Sequence, residues 1–344
     1  MNLSDLPTRP CPVLSLAPMQ EVTDLPFWEV THRYSPADVY FTEYFRVHIH
    51  STLEKYILRS IDENPTGRPV IAQMIGRDIS HMVRTAKEIQ KHNVVGIDLN
   101  LGCPAPVVCN KNAGGGLLRN LDETSEILKA LRDAIDCDFT VKTRVGYDSH
   151  DEFDRLLDLF ASHPIDALSI HGRTVHEKYR TPIHYDCIRD AVNRMHCPVF
   201  ANGNIVSVAM AQRAFDETGA AGLMVGRGAI RNPWLFAQIR SHFDPTTGEA
   251  PQPTLRDLHG YVSELFEAIP KPGAKEKQHV NKMKRYMNYI GQGVDPDEQF
   301  LYRIRRSETK ADFFAICDEF LLNDQPLAAE PPATSAVFAG LANG

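Results

Sequence analysis

Apolar residues in the first two thirds of the chain come in short runs, each closing on Gly, Asn, Pro or a charged side chain. In order these are VLSLAPM (13–19), DVYFTE (38–43), PVIAQMIG (69–76), VGIDLNLG (95–102), FTVKTRVG (139–146), ALSIHGR (167–173), PVFANGN (198–204) and AGLMVGRG (221–228). Amphipathic stretches such as ISHMVRTAKEIQKH (79–92) and TSEILKALRDAI (124–135) lie between several of them. The intervals suit a strand plus a crossover helix, and apolar strands framed by helices predict a parallel sheet. Eight such units predict an α/β fold of the (β/α)8 TIM-barrel type over residues 11–244. An open doubly wound sheet is the alternative, but the GxGxxG expected after its first strand is missing.

After Asn232 the strand pattern stops. Residues 254–322 read as helices, including LRDLHGYVSELFEAI, EKQHVNKMKRYMNYI and TKADFFAICDEFLL. In the middle one, Val280, Met283, Met287 and Ile290 share one face, with Lys277, Lys284 and Arg285 opposite. Between Lys271 and Lys310, ten Lys and Arg residues meet five carboxylates, a local excess of +5 in a chain of net charge -7. A smaller all-helical C-terminal domain with a positive side is therefore expected. The Ala- and Pro-rich end, 325–344, is expected to be a flexible tail that adds little to the core.

Composition refines this picture only slightly. With 43% apolar and 24% charged residues the chain looks like an ordinary soluble protein. No run is apolar enough to predict a membrane span, and MNLSDLPTRPCP lacks the order of a secretory signal. The seven cysteines, at 11, 103, 109, 137, 187, 197 and 317, form no CxxC pair and no convincing zinc set. Their odd number excludes a complete disulfide framework, so a reducing cytoplasm is expected, with no metal and no obligate protein partner.

In a (β/α)8 barrel the strand ends converge on one rim. That rim gathers Ala17, Pro18, Met19, Gln73, Asn100, Cys103, Lys142, Arg144, His171, Arg173, Asn202, Gly203, Asn204, Gly226 and Arg227. Polar groups buried there must be satisfied by neighbours or by a ligand. ANGN and VGRG, after the seventh and eighth strands, stand where this fold usually binds phosphate, and Arg227 adds a charged fork. Lys142, projecting from an apolar strand, suits either a Schiff-base nucleophile or a cation beside an electron-accepting ring. Gln73, Asn100 and His171 supply directional groups suited to a flat heterocycle with carbonyl and imide edges. Ala17, Pro18 and Met19 supply an apolar surface. This set predicts a flavin mononucleotide (FMN) site, with a nicotinamide visiting as hydride donor. Cys103, fixed between Gly102 and Pro104 beside Asn100, is placed to protonate a base as hydride reaches the adjacent carbon.

The motifs LAPMQEVTDLPF, FTEYFR, IAQMIG, DLNLGCPAPVVCNKNAGGGLL, VKTRVG, IHGRT, ANGNI and MVGRG together resemble the tRNA-dihydrouridine synthase family. The resemblance covers the barrel and extends into the helical region, with LNLGCP and its glycine-rich sequel the most specific part. It implies FMN- and NADPH-dependent reduction of the C5=C6 bond of selected tRNA uridines. Cys103 is then the proton donor to C5, and hydride goes to C6. Gln73, Lys142 and His171 would surround FMN, with Asn202, Gly203, Asn204, Gly226 and Arg227 near its phosphate. Asn100 would lie between flavin and uracil, while Arg144, Arg173 and Tyr179 would hold uracil or the RNA backbone. Glu43 in FTEYFRV joins the substrate side, and Lys282, Lys284 and Arg285 would contact tRNA. FTEYFRV is similar to the subgroup that modifies position 16 of bacterial tRNA. Two departures stand out: Gly114, Gly115 and Gly116 run together, and Pro106 and Val107 stand where relatives often carry lysine. An FMN barrel of the dihydroorotate dehydrogenase type is the alternative, but it leaves the basic helices without a role. A Schiff-base lyase and a noncatalytic RNA-binding module are further readings.

Overall fold

A computed structural model of the protein describes residues 11–341, apart from 270–272 and 274. The eight apolar runs all become strands: β1 (Val13–Leu16), β2 (Val39–Phe41), β3 (Val70–Ile75), β4 (Gly96–Asn100), β5 (Asp138–Arg144), β6 (Ala167–His171), β7 (Val199–Asn202) and β8 (Gly222–Val225). Every neighbouring pair is parallel, and pairing of β1 with both β2 and β8 closes the barrel. A two-residue strand, Phe45–Arg46, adds to the edge of β3 after the FTEY turn.

Strand alternation sorts the side chains into two apolar layers. Val13, Ala17, Val39, Phe41, Ile71, Ala167, Phe200 and Met224 form the small cluster that fills the barrel. The other face of the strands packs under the helices in a core that runs into the C-terminal helices. Two such layers, with the polar rim between them and solvent, are what the (β/α)8 architecture requires.

The C-terminal part consists of helices Leu255–Ala268, Glu276–Ile290, Gln299–Ile304 and Lys310–Leu321. Val280, Met283, Met287 and Ile290 are all buried, as the helical spacing predicts. The Glu276–Ile290 helix docks beside the loop that follows β1. There the Tyr286 hydroxyl donates to the Val22 carbonyl at 3.0 Å and to Asp24 at 3.1 Å, and its ring stacks on Phe27.

Two expectations need correction. The basic surface is less free than the count along the chain implies. Lys282 donates to the Glu21 carbonyl and pairs with Asp24 at 2.9 Å, while Arg285 pairs with Glu21. Arg303 pairs with Glu319 and Lys310 with Glu267, carboxylates that lie outside the counted stretch. Lys271 falls outside the described residues, whereas Lys275, Lys284, Arg305 and Arg306 have no carboxylate partner among them. The supposed flexible tail is also packed over its described part, which ends at residue 341. Leu327, Ser335 and Phe338 are buried, and the fully buried Arg231 holds the carbonyls of Ala328 at 2.8 Å and Glu330 at 3.2 Å. A buried guanidinium without a carboxylate needs carbonyl acceptors, and this segment supplies them. Among the described residues, no helix is long and apolar enough to cross a membrane.

Candidate active site

Register brings the polar strand ends together. Asn100 stands opposite Lys142, Arg144 opposite His171, and His171 opposite Asn202. They surround a cavity of about 700 Å³ at the carboxyl ends of the strands. That volume suits a ligand of cofactor size.

Cys103 faces this cavity on a turn held from both sides. The Asn100 side-chain carbonyl accepts the backbone N–H groups of Gly102 at 3.0 Å and Cys103 at 2.9 Å. The Cys103 carbonyl accepts the Gly115 N–H at 3.2 Å and the Cys109 thiol at 3.3 Å. A side chain at Gly115 would stand 2.6 Å from Val175 and 3.0 Å from that carbonyl, so the run of three glycines seats the cysteine turn. The glycine departure noted in the sequence thus has a local steric reason.

Beneath Asn100 lies a network that the sequence reading misses. Its amide donates to Gln73 at 2.8 Å, Gln73 donates to Asp98 at 2.7 Å, and Thr140 donates to the other Asp98 oxygen at 2.6 Å. Gln73 is fully buried, stands just behind the residues that line the cavity, and supports Asn100. Burial, offset by these two hydrogen bonds, pushes Asp98 up to about 6. The signal is present in the sequence: Asp98 and Asn100 alternate along one strand and must share its inner face.

The opposite wall is cationic. Lys142 donates to Asn202 at 3.1 Å, and burial, then Arg144, lowers it to about 8. Arg144 donates to the carbonyls of Gly102, Thr174 and Lys178, all within 2.9 Å. The guanidinium groups of Arg144 and Arg227 both lie over the Tyr179 ring, at 5.3 Å and 5.1 Å from its centre. Burial first, then Arg144, Lys142, Arg173 and Arg227, drives His171 well below the ordinary imidazole range, leaving it neutral. Its Nδ1 is buried with no hydrogen-bond partner among the described residues. An orphaned group on a cationic wall is what a polar, anionic ligand would satisfy.

Ala17, Pro18, Met19, Asn100, Cys103, Lys142, Arg144, His171, Tyr179, Asn202, Gly203, Asn204, Gly226 and Arg227 all line the cavity. Arg173 and Glu43 do not. Arg173 is fully buried, donating to the Thr181 carbonyl at 2.6 Å and to Asn204 at 3.2 Å. Glu43 is buried and accepts the Glu21 N–H, which ties the β2 end to the β1 loop. Both lie behind the wall. Lys282, Lys284 and Arg285 sit on the helical part, away from the cavity lining. Lining residues that sequence reasoning does not single out include Tyr44, Met224, Tyr289, Ala336 and Val337. Tyr44 is pushed up to about 12, by burial first and then by Cys103 beside it. Tyr289 and Val337 come from parts of the chain that no strand-end pattern could bring to the rim.

Comparison with known proteins identifies the chain's relatives. The chain is 36% identical to tRNA-dihydrouridine synthase B of Pseudomonas putida over 258 residues, covering 74% of this chain and 76% of that protein. It is 30% identical to tRNA-dihydrouridine synthase B of Xanthomonas axonopodis pv. citri, covering 94% and 96% of the two chains. It is 28% identical to tRNA-dihydrouridine(16) synthase of Neisseria meningitidis, covering 84% and 89%. The dihydrouridine synthase (Dus) profile matches residues 15–325. With the barrel, the cysteine turn and the strand-end residues already in place, that match makes the chain a member of the dihydrouridine synthase family.

Proposed function

We propose that the protein binds FMN in this cavity and uses NADPH to reduce the C5=C6 bond of a uridine in tRNA. The observation that carries the reading is the joint presentation of the Cys103 thiol, the orphaned His171 Nδ1 and the Lys142 cation in one cavity of a family member. The donor set fits the cofactor. The loop backbone at Asn202, Gly203, Asn204, Gly226 and Arg227 would take the phosphate, where this fold usually binds one. Lys142 and His171 would meet the polar edge of the ring, and Ala17, Pro18 and Met19 its apolar face. Gln73 holds Asn100 from below.

When bound, reduced FMN supplies hydride to C6 of the base. The protein's own residues do the rest. Cys103 holds a proton on Sγ and releases it to C5, its turn fixed by Asn100 and Gly115 so that the thiol meets the base in one orientation. Arg144 and Tyr179 stack beside this position and would clamp the uracil. A base in folded RNA must leave its stack to reach a cavity at the barrel mouth. Lys275, Lys284, Arg305 and Arg306, which have no carboxylate partner among the described residues, would attract the phosphates around it.

The test is reconstitution. Protein freed of cofactor should take up FMN with a perturbed flavin spectrum. With NADPH it should then form dihydrouridine in unmodified tRNA, read by nucleoside mass spectrometry. A protein that gains no flavin, or that reduces free uridine monophosphate as fast as tRNA, contradicts the reading.

A further inference from the structure

We propose that residues 328–341 are a cap over the phosphate end of the cavity and set the rate at which the phosphate-bearing cofactor enters and leaves. The proposal rests on the flavin reading above. The family profile ends at residue 325, so this segment belongs to no part of the chain that the family match describes.

Its course is fixed by a succession of anchors. Arg231 takes the carbonyls of Ala328 and Glu330 while also donating to Gln292 at 3.0 Å, tying the segment to barrel and helices together. The Glu330 carboxylate accepts from Ser207 at 2.7 Å, at the start of the Val208–Thr218 helix. Phe338 is buried, edge-on to Tyr289 and 5.4 Å from the Arg227 guanidinium.

The last two anchors lead to the inference. Arg227 donates to the Val337 carbonyl at 2.5 Å, and the Asn204 amide donates to the Gly340 carbonyl at 3.0 Å. Those side chains come from VGRG and ANGN, the two loops that would bind phosphate. Ala336 and Val337 line the cavity itself. The segment therefore closes the outer end of the site and engages its two most useful side-chain donors, while leaving the loop backbone to the ligand. A cofactor seated beneath it leaves only when the segment lifts, and lifting breaks the Arg227 and Asn204 bonds first.

Gly340 makes the fit specific. It has φ +87, and a side chain there would stand 2.4 Å from the Arg173 guanidinium and 2.5 Å from the Thr181 carbonyl. Gly340→Val should thus expel the end of the cap. Phe338→Ala removes the apolar anchor by a different route.

The experiment loads full-length protein with FMN, dilutes it into an excess of a flavin-sequestering protein, and follows flavin fluorescence. Both variants should release FMN at least tenfold faster than wild type, and both should take it up faster. If Gly340→Val does not fold, Phe338→Ala carries the test. Equal or slower release by the folded variants overturns the proposal. A second readout separates a cap from simple packing: bound FMN should slow hydrogen exchange at the Phe338 and Ala339 amides, which bond within the cap. Exchange that ignores FMN also overturns it. A wild-type protein that takes up no FMN would instead defeat the flavin reading, and the cap with it.

Discussion

Lys142 carries the most specific pH signature at the scale of single residues. Its ammonium is held at about 8 rather than the usual 10.5, so the folded, ligand-free protein loses this cation as pH rises through about 8. Because the folded value lies below the unfolded one, burial of the charged form costs stability below pH 8, and that cost fades toward pH 10. An anionic ligand should accordingly bind less tightly above pH 8. We expect FMN affinity to fall through that range and Lys142→Met to bind weakly with a flat profile, measured by fluorescence titration. A wild-type profile without a break near pH 8 would contradict it. Lys142 is conspicuous in the sequence because it is a cation in an apolar run. The bond from Gln73 to Asp98 is not legible there, because nothing along the chain pairs the two. Side-chain type can be read from sequence, but which buried polar group satisfies which depends on register across strands.

At the scale of elements, the cysteine turn is the unit that matters. Asn100 accepts two backbone N–H groups and donates to Gln73, so Asn100→Ala leaves several groups unsatisfied at once. A loss of about 1–3 kcal/mol is expected, seen as a lower denaturation midpoint. Asn100→Asp, which keeps the acceptor for the turn, should lose less stability than Asn100→Ala. Gly115→Val should disturb the same turn sterically and slow base reduction more than it slows FMN binding. The strands are legible because every apolar run closes on a turn residue, and each observed strand falls within its run or within a residue of it. The packing of Gly114–Arg119 beneath Cys103 is not, since it brings together segments that share no periodic pattern.

At the scale of the whole molecule, the basic residues of the helical part fall into two groups. Lys282 and Arg285 hold the C-terminal helices on the β1 loop, whereas Lys275, Lys284 and Arg305 lack carboxylate partners among the described residues. Neutralising the latter three should weaken tRNA binding and reduce its salt dependence by roughly one log–log slope unit for each phosphate no longer engaged. Lys282→Ala with Arg285→Ala should instead lower thermal stability, modestly, since Arg285 and its partner are half exposed. Sequence can count these charges but not show that Glu21 and Asp24, some 260 positions away, neutralise two of them. The same blindness to distant partners hides the packed 328–341 segment. The proposed turnover draws on all these parts of the molecule, and Cys103→Ala interrogates it most directly. FMN-loaded Cys103→Ala, mixed with NADPH, should accept hydride as fast as wild type. Once reduced and mixed in excess with unmodified tRNA, it should form dihydrouridine at least ~100-fold more slowly in a single turnover. Product appearing at the wild-type rate would contradict the assignment of the thiol as the proton source.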